Sequence, residues 1–123
     1  MITDKLNGVD AIIEGFGKQP PSQEHAQARA DVCKTCPKNY TGGWLISDKA
    51  ARIIHAQRQK KLEMKLKVEG EEKIGNCLVC ECNLPLKVFF DIHTIFHHTS
   101  DAMMSRLQSA NPNCWIVTEC LQL

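Results

Sequence analysis

The sequence has few aromatic residues, no long apolar run and almost no net charge. Aromatic side chains make up 6% of the 123 residues, so a core must rely on aliphatic side chains. A net charge of +1 excludes a general field that would draw the whole molecule to nucleic acid or to a membrane. Charged and polar residues interrupt the apolar positions of the first seventeen residues. This segment therefore lacks the continuous apolar core of a signal peptide. We therefore expect a single domain in the reducing cytoplasm.

What the sequence does have is cysteine, seven residues in all, and most of them are closely spaced. In a reducing compartment, close-set cysteines are more often metal ligands than disulfides, which here would need a route of secretion. A two-residue spacing lets one tight turn aim both sulfur atoms at the same ion, and zinc accepts four thiolates at about 2.3 Å. The candidate ligands are Cys33, Cys36, Cys77, Cys80, Cys82 and Cys114.

The simplest predicted ligand set is the pair of C-x2-C units, Cys33 with Cys36 and Cys77 with Cys80. Cys82 and Cys114 then have three alternatives: they replace members of that set, share thiolates in a two-ion centre, or belong to the core. An iron–sulfur cluster is a further alternative, because four thiolates also hold one. Cys120 follows an apolar stretch without a spaced partner, and we predict that it packs in the core.

Three blocks of the sequence resemble a group of small bacteriophage-encoded, cysteine-rich, zinc-ribbon-like proteins. The blocks are "RADVCKTCPKN", "IGNCLVCECNLPLKV" and "NPNCWI", which cover about a quarter of the chain. In the group, a proline is expected after the segment that here reads "KVFF". The resemblance implies that Cys82 and Cys114 belong to the metal motif and Cys120 does not. It also implies a host cytoplasm and leaves the role of the protein open.

Local patterns predict the elements around these cysteines. Ser22 caps a short helix that ends near Cys33, and Ser47-Asp48 opens a second helix. Apolar residues alternate from Lys61 to Glu69 and favour a strand, as does "LPLKVFF". Residues 91–110 favour helix with a break near Thr99-Ser100, and "NPNCW" is a turn.

We therefore predict an α+β fold: a small zinc-stapled domain with short strands, two to four helices and a ribbon-like metal centre. Residues 1–21 form an N-terminal segment, residues 22–123 form the metal-stapled domain, and the helix and strand of residues 47–69 are an insertion across the site. Trp44 and Trp115 are predicted to pack beside the metal turns rather than to bind a ligand.

A basic stretch offers the main candidate for nucleic-acid binding. Residues 47–67 carry a local charge of +5, although Glu69, Glu71 and Glu72 follow at once. The excess could neutralise phosphates, whereas the alternative is an ordinary solvated face. The absence of interleaved aromatic residues weakens the case for single strands. The candidate residues are Arg52, Arg58, Lys60, Lys61, Lys65 and Lys67.

Nothing in the sequence favours catalysis. His93 and His97 share a helical face, but Thr94 stands where a metalloprotease has glutamate, so we predict that these residues and His98 face solvent. A set of six thiols would fill a zinc site and leave no open position for substrate. We therefore predict a non-catalytic binding module with structural zinc, whose partner is a nucleic acid or a host or phage protein. The alternatives are an anti-host-defence or virion-associated adaptor without nucleic-acid contact and, less favoured, a zinc-dependent hydrolase.

Overall fold

The computed structural model describes residues 21–42 and 48–123, so all of the predicted N-terminal segment except Pro21 lies outside the described residues, as do Trp44 and Ser47. Six α-helices and two short strands make up this part of the chain. In order they are α1 (Gln23–Lys34), β1 (Asn39–Tyr40), α2 (Asp48–Glu63), β2 (Asn76–Cys77), α3 (Leu84–Lys87), α4 (Ile92–His97), α5 (Asp101–Ala110) and α6 (Trp115–Cys120). A 3-10 turn, Glu71–Lys73, precedes β2.

Helix α1 begins where the capping pattern predicts. The Ser22 hydroxyl accepts a hydrogen bond from the backbone amide of His25 at 3.1 Å, which satisfies one of the free amides of the first turn. One face of the helix is buried, and it consists of Ala26, Arg29, Ala30 and Cys33. That spacing of three and four residues places Cys33 at the end of the stripe that packs into the core.

Helix α2 also forms as predicted, but the strand expected after it does not. Lys65 adopts a left-handed backbone conformation with φ 57°. The amide of Leu66 donates to the carbonyl of Lys61 at 3.0 Å, and that of Lys65 donates to Leu62 at 3.1 Å. This is the hydrogen-bond pattern of a Schellman motif, which ends a helix. The alternating residues therefore belong to a helix end and an irregular segment, and Leu62 is 68% exposed.

The strand predicted for "LPLKVFF" is likewise wrong, because its first residues form α3. The Asn83 side chain caps this helix by accepting from the amide of Leu86 at 3.2 Å, and Pro85 occupies the first turn. Proline is well tolerated there, since the first-turn amides have no helical partner. The next residues, Val88, Phe89 and Phe90, are almost fully buried. Because these residues are buried on all sides, they are apolar without the alternation of apolar and polar residues that marks a half-buried strand.

The C-terminal part consists of three helices, and their break near Thr99-Ser100 is confirmed. Ser100 caps α5 through its hydroxyl, which accepts from the amide of Met103 at 3.1 Å. Helix α6 packs against both α4 and α5, while α3 packs against α1 and α2. The core between them holds Phe89, Phe90 and Trp115 together with aliphatic side chains and buried cysteines.

The described residues thus form a small α+β structure with mostly helical content. The strands are short, as predicted, but six helices exceed the two to four that the sequence suggested. In the same described ranges, no helix combines the length and the apolar character needed to cross a membrane.

Candidate metal centre

A two-stranded ribbon brings the two C-x2-C units together. Strands β1 and β2 pair antiparallel, with Asn39 opposite Cys77 and Tyr40 opposite Asn76. Asn39 lies three residues after Cys36, so this register sets the end of the first cysteine turn beside the start of the second. The pairing continues beyond the strands, where the amide of Leu78 donates to the carbonyl of Lys38 at 2.9 Å.

Gly75 and Asn39 fix the register of this ribbon. The Asn39 side chain donates to the carbonyl of Lys73 at 2.8 Å and accepts from the amide of Gly75 at 2.9 Å. A Cβ at position 75 would overlap the Tyr40 carbonyl oxygen and lie 2.9 Å from the Thr41 Cα. Only glycine therefore allows the two backbones to approach this closely.

Residues 76–83 form a tight cysteine hairpin. The amide of Cys77 donates to the carbonyl of Cys82 at 3.1 Å, and an isolated bridge joins Asn76 to Asn83. Glu81 makes the reversal possible with φ 60°. Inside the hairpin, the amides of Val79 and Cys80 each donate to the Cys77 sulfur at 3.4 Å. Amides directed at a sulfur atom favour its thiolate form. At Cys77, however, the thiol hydrogen bond to Cys80, burial and the charge of Cys80 outweigh these amides and raise the pKa.

The third cysteine turn delivers Cys114 to the same place. The amide of Cys114 donates to the carbonyl of Asn111 at 2.9 Å, and α6 begins at the next residue. A cavity of about 30 Å³, which we call the thiol cavity, lies between the three turns. Five of the six candidate thiols line it, namely Cys33, Cys36, Cys77, Cys80 and Cys114. Within residues 21–42 and 48–123, Lys38 is the one charged residue that lines it.

Burial favours the protonated form of Cys33 and Cys114. Burial raises the pKa of Cys33 to about 12, although a hydrogen bond from Trp115 opposes the rise. Burial also raises the pKa of Cys114, against the effect of the Val117 and Ile116 amides. Cys80 behaves differently, because hydrogen bonds from the Cys77 and Cys82 thiols, followed by the charge of Lys87, lower its pKa well below the usual value. The pKa of Cys80 thus shifts in the opposite direction from those of Cys33 and Cys114.

Cys82 lies beside Lys87 rather than on the cavity. The Lys87 ammonium is 2.9 Å from the Cys82 sulfur and 3.7 Å from the Cys80 sulfur, and the residue is only 4% exposed. A buried ammonium is costly unless negative charge compensates it. Burial alone would lower the pKa of Lys87, but the charges of Cys80 and Cys82 and the hydrogen bond to Cys82 raise it. The geometry thus pairs one buried cation with the cysteine hairpin.

Arg29 connects the segments that carry the three cysteine turns, a role that the sequence analysis did not foresee. Its guanidinium makes two hydrogen bonds to the Glu119 carboxylate, at 2.8 and 2.7 Å, which tie α1 to α6. It also donates to the carbonyls of Val88 and Phe90 at 3.1 and 2.7 Å, just after α3. Arg29 is 2% exposed, and we call it with Glu119 the arginine clasp. Its position on the apolar stripe of α1 was the available signal.

Trp115 joins the arginine clasp to the thiol cavity, in agreement with the predicted packing role. The indole N–H donates to the Cys33 sulfur at 3.2 Å. The Arg29 guanidinium carbon lies 4.4 Å from the Trp115 ring centroid, which is a cation–π distance. Cys120 is buried in the core, as predicted, and does not line the thiol cavity.

The cavity thiols are of the type that binds thiophilic metal ions such as zinc, but their sulfur atoms do not surround a common point. Within residues 21–42 and 48–123, no three or more His, Cys, Asp or Glu side chains stand in an arrangement that could hold a metal ion. Metal binding would therefore require the cavity thiols to move from their present positions. The backbone turns already place five sulfur-bearing side chains on one small cavity.

The other predicted site residues lie away from the cavity. Residues 48–69, which we predicted to cross the site, do not line the thiol cavity. Helix α2 packs against α3 instead. His93 and His97 are exposed and His98 is half-buried. Lys61 is 7% exposed, forms an ion pair with Glu71 and lies over the Phe89 ring at 5.3 Å. It is therefore not available to a surface ligand.

The other five candidates for nucleic-acid binding are solvent-exposed. They are Arg52, Arg58, Lys60, Lys65 and Lys67. Arg58 and Lys67 share a surface depression with Glu71 and Glu72. The acidic residues that follow in the sequence are thus also neighbours in space, and they offset part of the positive charge.

No family model, no curated protein and no solved structure matches this chain.

Proposed function

We propose that this protein is a non-catalytic binding module whose fold is held together by one zinc ion in the thiol cavity. Four of the five cavity thiols supply the ligands. The observation that supports this proposal is the convergence of three separate turns, each carrying cysteine, on one small cavity. Buried cysteines with no common role would have no reason to collect there from positions 33 to 114.

The electrostatics of the cysteine hairpin favour a bound cation with several thiolates. Each thiol gives up its proton when it binds zinc, and burial opposes that loss for Cys33 and Cys114. A divalent ion compensates two of the resulting charges, and Lys87 compensates a further one. Cys80, whose pKa is lowered, is the natural first ligand. Cys82 stays outside the ligand set and positions Lys87.

A single zinc ion is the simplest occupant of the thiol cavity, because four thiolates complete its tetrahedral coordination. A zinc-dependent hydrolase is less favoured, because a zinc ion with four thiolate ligands has no open position for water or substrate. Zinc in structural sites contributes folding free energy directly, on the order of 10 kcal/mol apparent at neutral pH.

Metal analysis and native mass spectrometry of anaerobically purified protein test this proposal. We expect one zinc per chain in the wild type and loss of zinc in at least three single serine variants, among Cys33, Cys36, Cys77, Cys80 and Cys114. Cys120→Ala is the matched control, since Cys120 is buried but does not line the cavity. Folded protein that holds no metal and has all seven thiols free would overturn the proposal.

The partner of the module stays a prediction. A protein adaptor, directed at host defence or at a virion, rests on the sequence resemblance alone. Nucleic-acid binding has a further structural observation in its favour, although it lies on a different surface from the basic stretch of residues 47–67. That observation is developed next.

A further inference from the structure

An open groove of about 500 Å³ lies between the cysteine hairpin and α5. One wall is Lys38 with Leu78 and Val79, at the tip of the hairpin. The other wall is α5, which contributes Ser105, Arg106, Ser109 and Ala110. The volume is in the range of sites for small ligands. We call this surface the α5 groove.

The α5 groove has positively charged residues in its lining. Among the residues that the structure describes, the lining includes Lys38 and Arg106 but no Asp or Glu. Both cations are exposed, and among the described residues neither has an ion-pair partner. The depression beside α2 differs, because Glu71 and Glu72 line it together with its cations. The charges that line the α5 groove therefore favour a negatively charged ligand more than those of the depression beside α2.

Hydrogen-bond donors stand beside these charges. Ser105 and Ser109 are four residues apart on α5, and Arg106 is three residues before Ser109, so the three side chains lie on neighbouring positions of one helical face. Two hydroxyls, an ammonium and a guanidinium are the groups that proteins use to hold phosphate oxygens. The exposed side chain of Leu78 adds apolar surface at the same place.

We propose that the α5 groove binds a phosphate group of a single-stranded nucleic acid, with the adjoining sugar and base against Leu78 and Val79. Lys38 and Arg106 neutralise the phosphodiester, and the serine hydroxyls donate to its oxygens. The site rests on the proposed function in one respect, since Lys38, Leu78 and Val79 belong to the turns that carry the cavity thiols. A free nucleotide presents the same chemistry and is the other source of such a phosphate.

Fluorescence anisotropy with a labelled single-stranded oligonucleotide tests the groove, with zinc-loaded protein over a range of salt. For the double variant Lys38→Glu/Arg106→Glu, we expect weaker binding and a slope of log Kd against log salt reduced by about 0.7, since the two cations neutralise one phosphate and each phosphate contact on a single strand contributes about 0.7. The matched control is Arg58→Glu/Lys67→Glu on the α2 side, which should keep at least two thirds of the wild-type slope. Competition with inorganic phosphate and with a mononucleotide separates a strand-binding site from a nucleotide site.

The outcomes of this experiment separate the two proposals. Equal binding by the Lys38/Arg106 variant and the wild type overturns the groove, as does an equal loss in the Arg58/Lys67 variant. Both results leave the zinc content, measured on the same samples, as the test of the metal centre. Strand binding that is lost in the groove variant while its zinc content stays normal supports the α5 groove as the site.

Discussion

The substitution Arg29→Met offers a sharp test of how this fold is held together. Methionine fills much of the space of the arginine stem but removes every donor of the guanidinium. Glu119 then loses two hydrogen bonds, and the carbonyls of Val88 and Phe90 each lose one. The variant thus breaks every hydrogen bond that Arg29 makes, while the apolar stripe of α1 stays intact and Glu119 keeps its 3.0 Å contact with His25.

The expected loss is large because Arg29 is 2% exposed. Removing one partner of a buried, hydrogen-bonded ion pair typically costs 3–5 kcal/mol. The Glu119 side chain is 19% exposed and can regain some solvation, so the lower half of that range applies. We expect the free energy of unfolding to fall by about 3–4 kcal/mol, a considerable fraction of the 5–15 kcal/mol of an ordinary domain.

Urea denaturation followed by circular dichroism, at a fixed excess of zinc, measures this loss. Arg52→Met is the matched control, because Arg52 is an exposed arginine on α2 and its removal should change stability by less than about 0.5 kcal/mol. The double variant with Glu119→Gln should be less destabilised than the sum of the two single changes. A loss below 1 kcal/mol for Arg29→Met would refute the claim that the arginine clasp holds the three turns together.

Three further predictions concern the cysteine turns and the arginine clasp. Gly75→Ala should separate β1 from β2 and lower the zinc content, because its Cβ would lie 2.9 Å from the Thr41 Cα; normal zinc content would contradict this. Lys87→Met should weaken zinc binding about 10–100-fold in a chelator competition, the usual effect of losing an outer-shell partner; unchanged affinity would remove Lys87 from the metal centre. Burial opposes the lowered pKa of Glu119, but the hydrogen bond and charge of Arg29 outweigh it. Stability from this carboxylate is therefore present above its unfolded value of about 4.5 and lost as the pH falls below it, a loss that Glu119→Gln should lack in acid titrations.

Local capping chemistry explains why the sequence predicted some elements well. The starts of α1 and α5 are set by serine hydroxyls within three residues of the amides they cap, so a short window contains the information. The two strands predicted from apolar patterns were wrong for the opposite reason. Whether a residue such as Met64 or Val88 lies in the core or in solvent depends on what the rest of the chain places around it. Val88 is completely buried, whereas Met64 is exposed.

The spacing of the cysteines similarly gave a local signal for the turns but not for their arrangement. It could not decide that Cys114 lines the thiol cavity while Cys82 lies beside Lys87, because that difference depends on how the hairpin folds back. Arg29 and Lys87 are long-range cases. Each is a single cation within an apolar pattern, which signals a buried partner, but the partner of Arg29 lies 90 residues away.

The arginine clasp and the thiol cavity join the same three parts of the chain. Arg29 links α1 to the segment after α3 and to α6, and these parts carry or adjoin the first, second and third cysteine turns. Bringing turns together across long loops costs conformational entropy, whichever contact forms first. Once the clasp has formed, that cost has been met, and zinc binds between turns that are already adjacent. Zinc and Arg29 therefore stabilise the fold cooperatively, and the loss of either should weaken the contribution of the other.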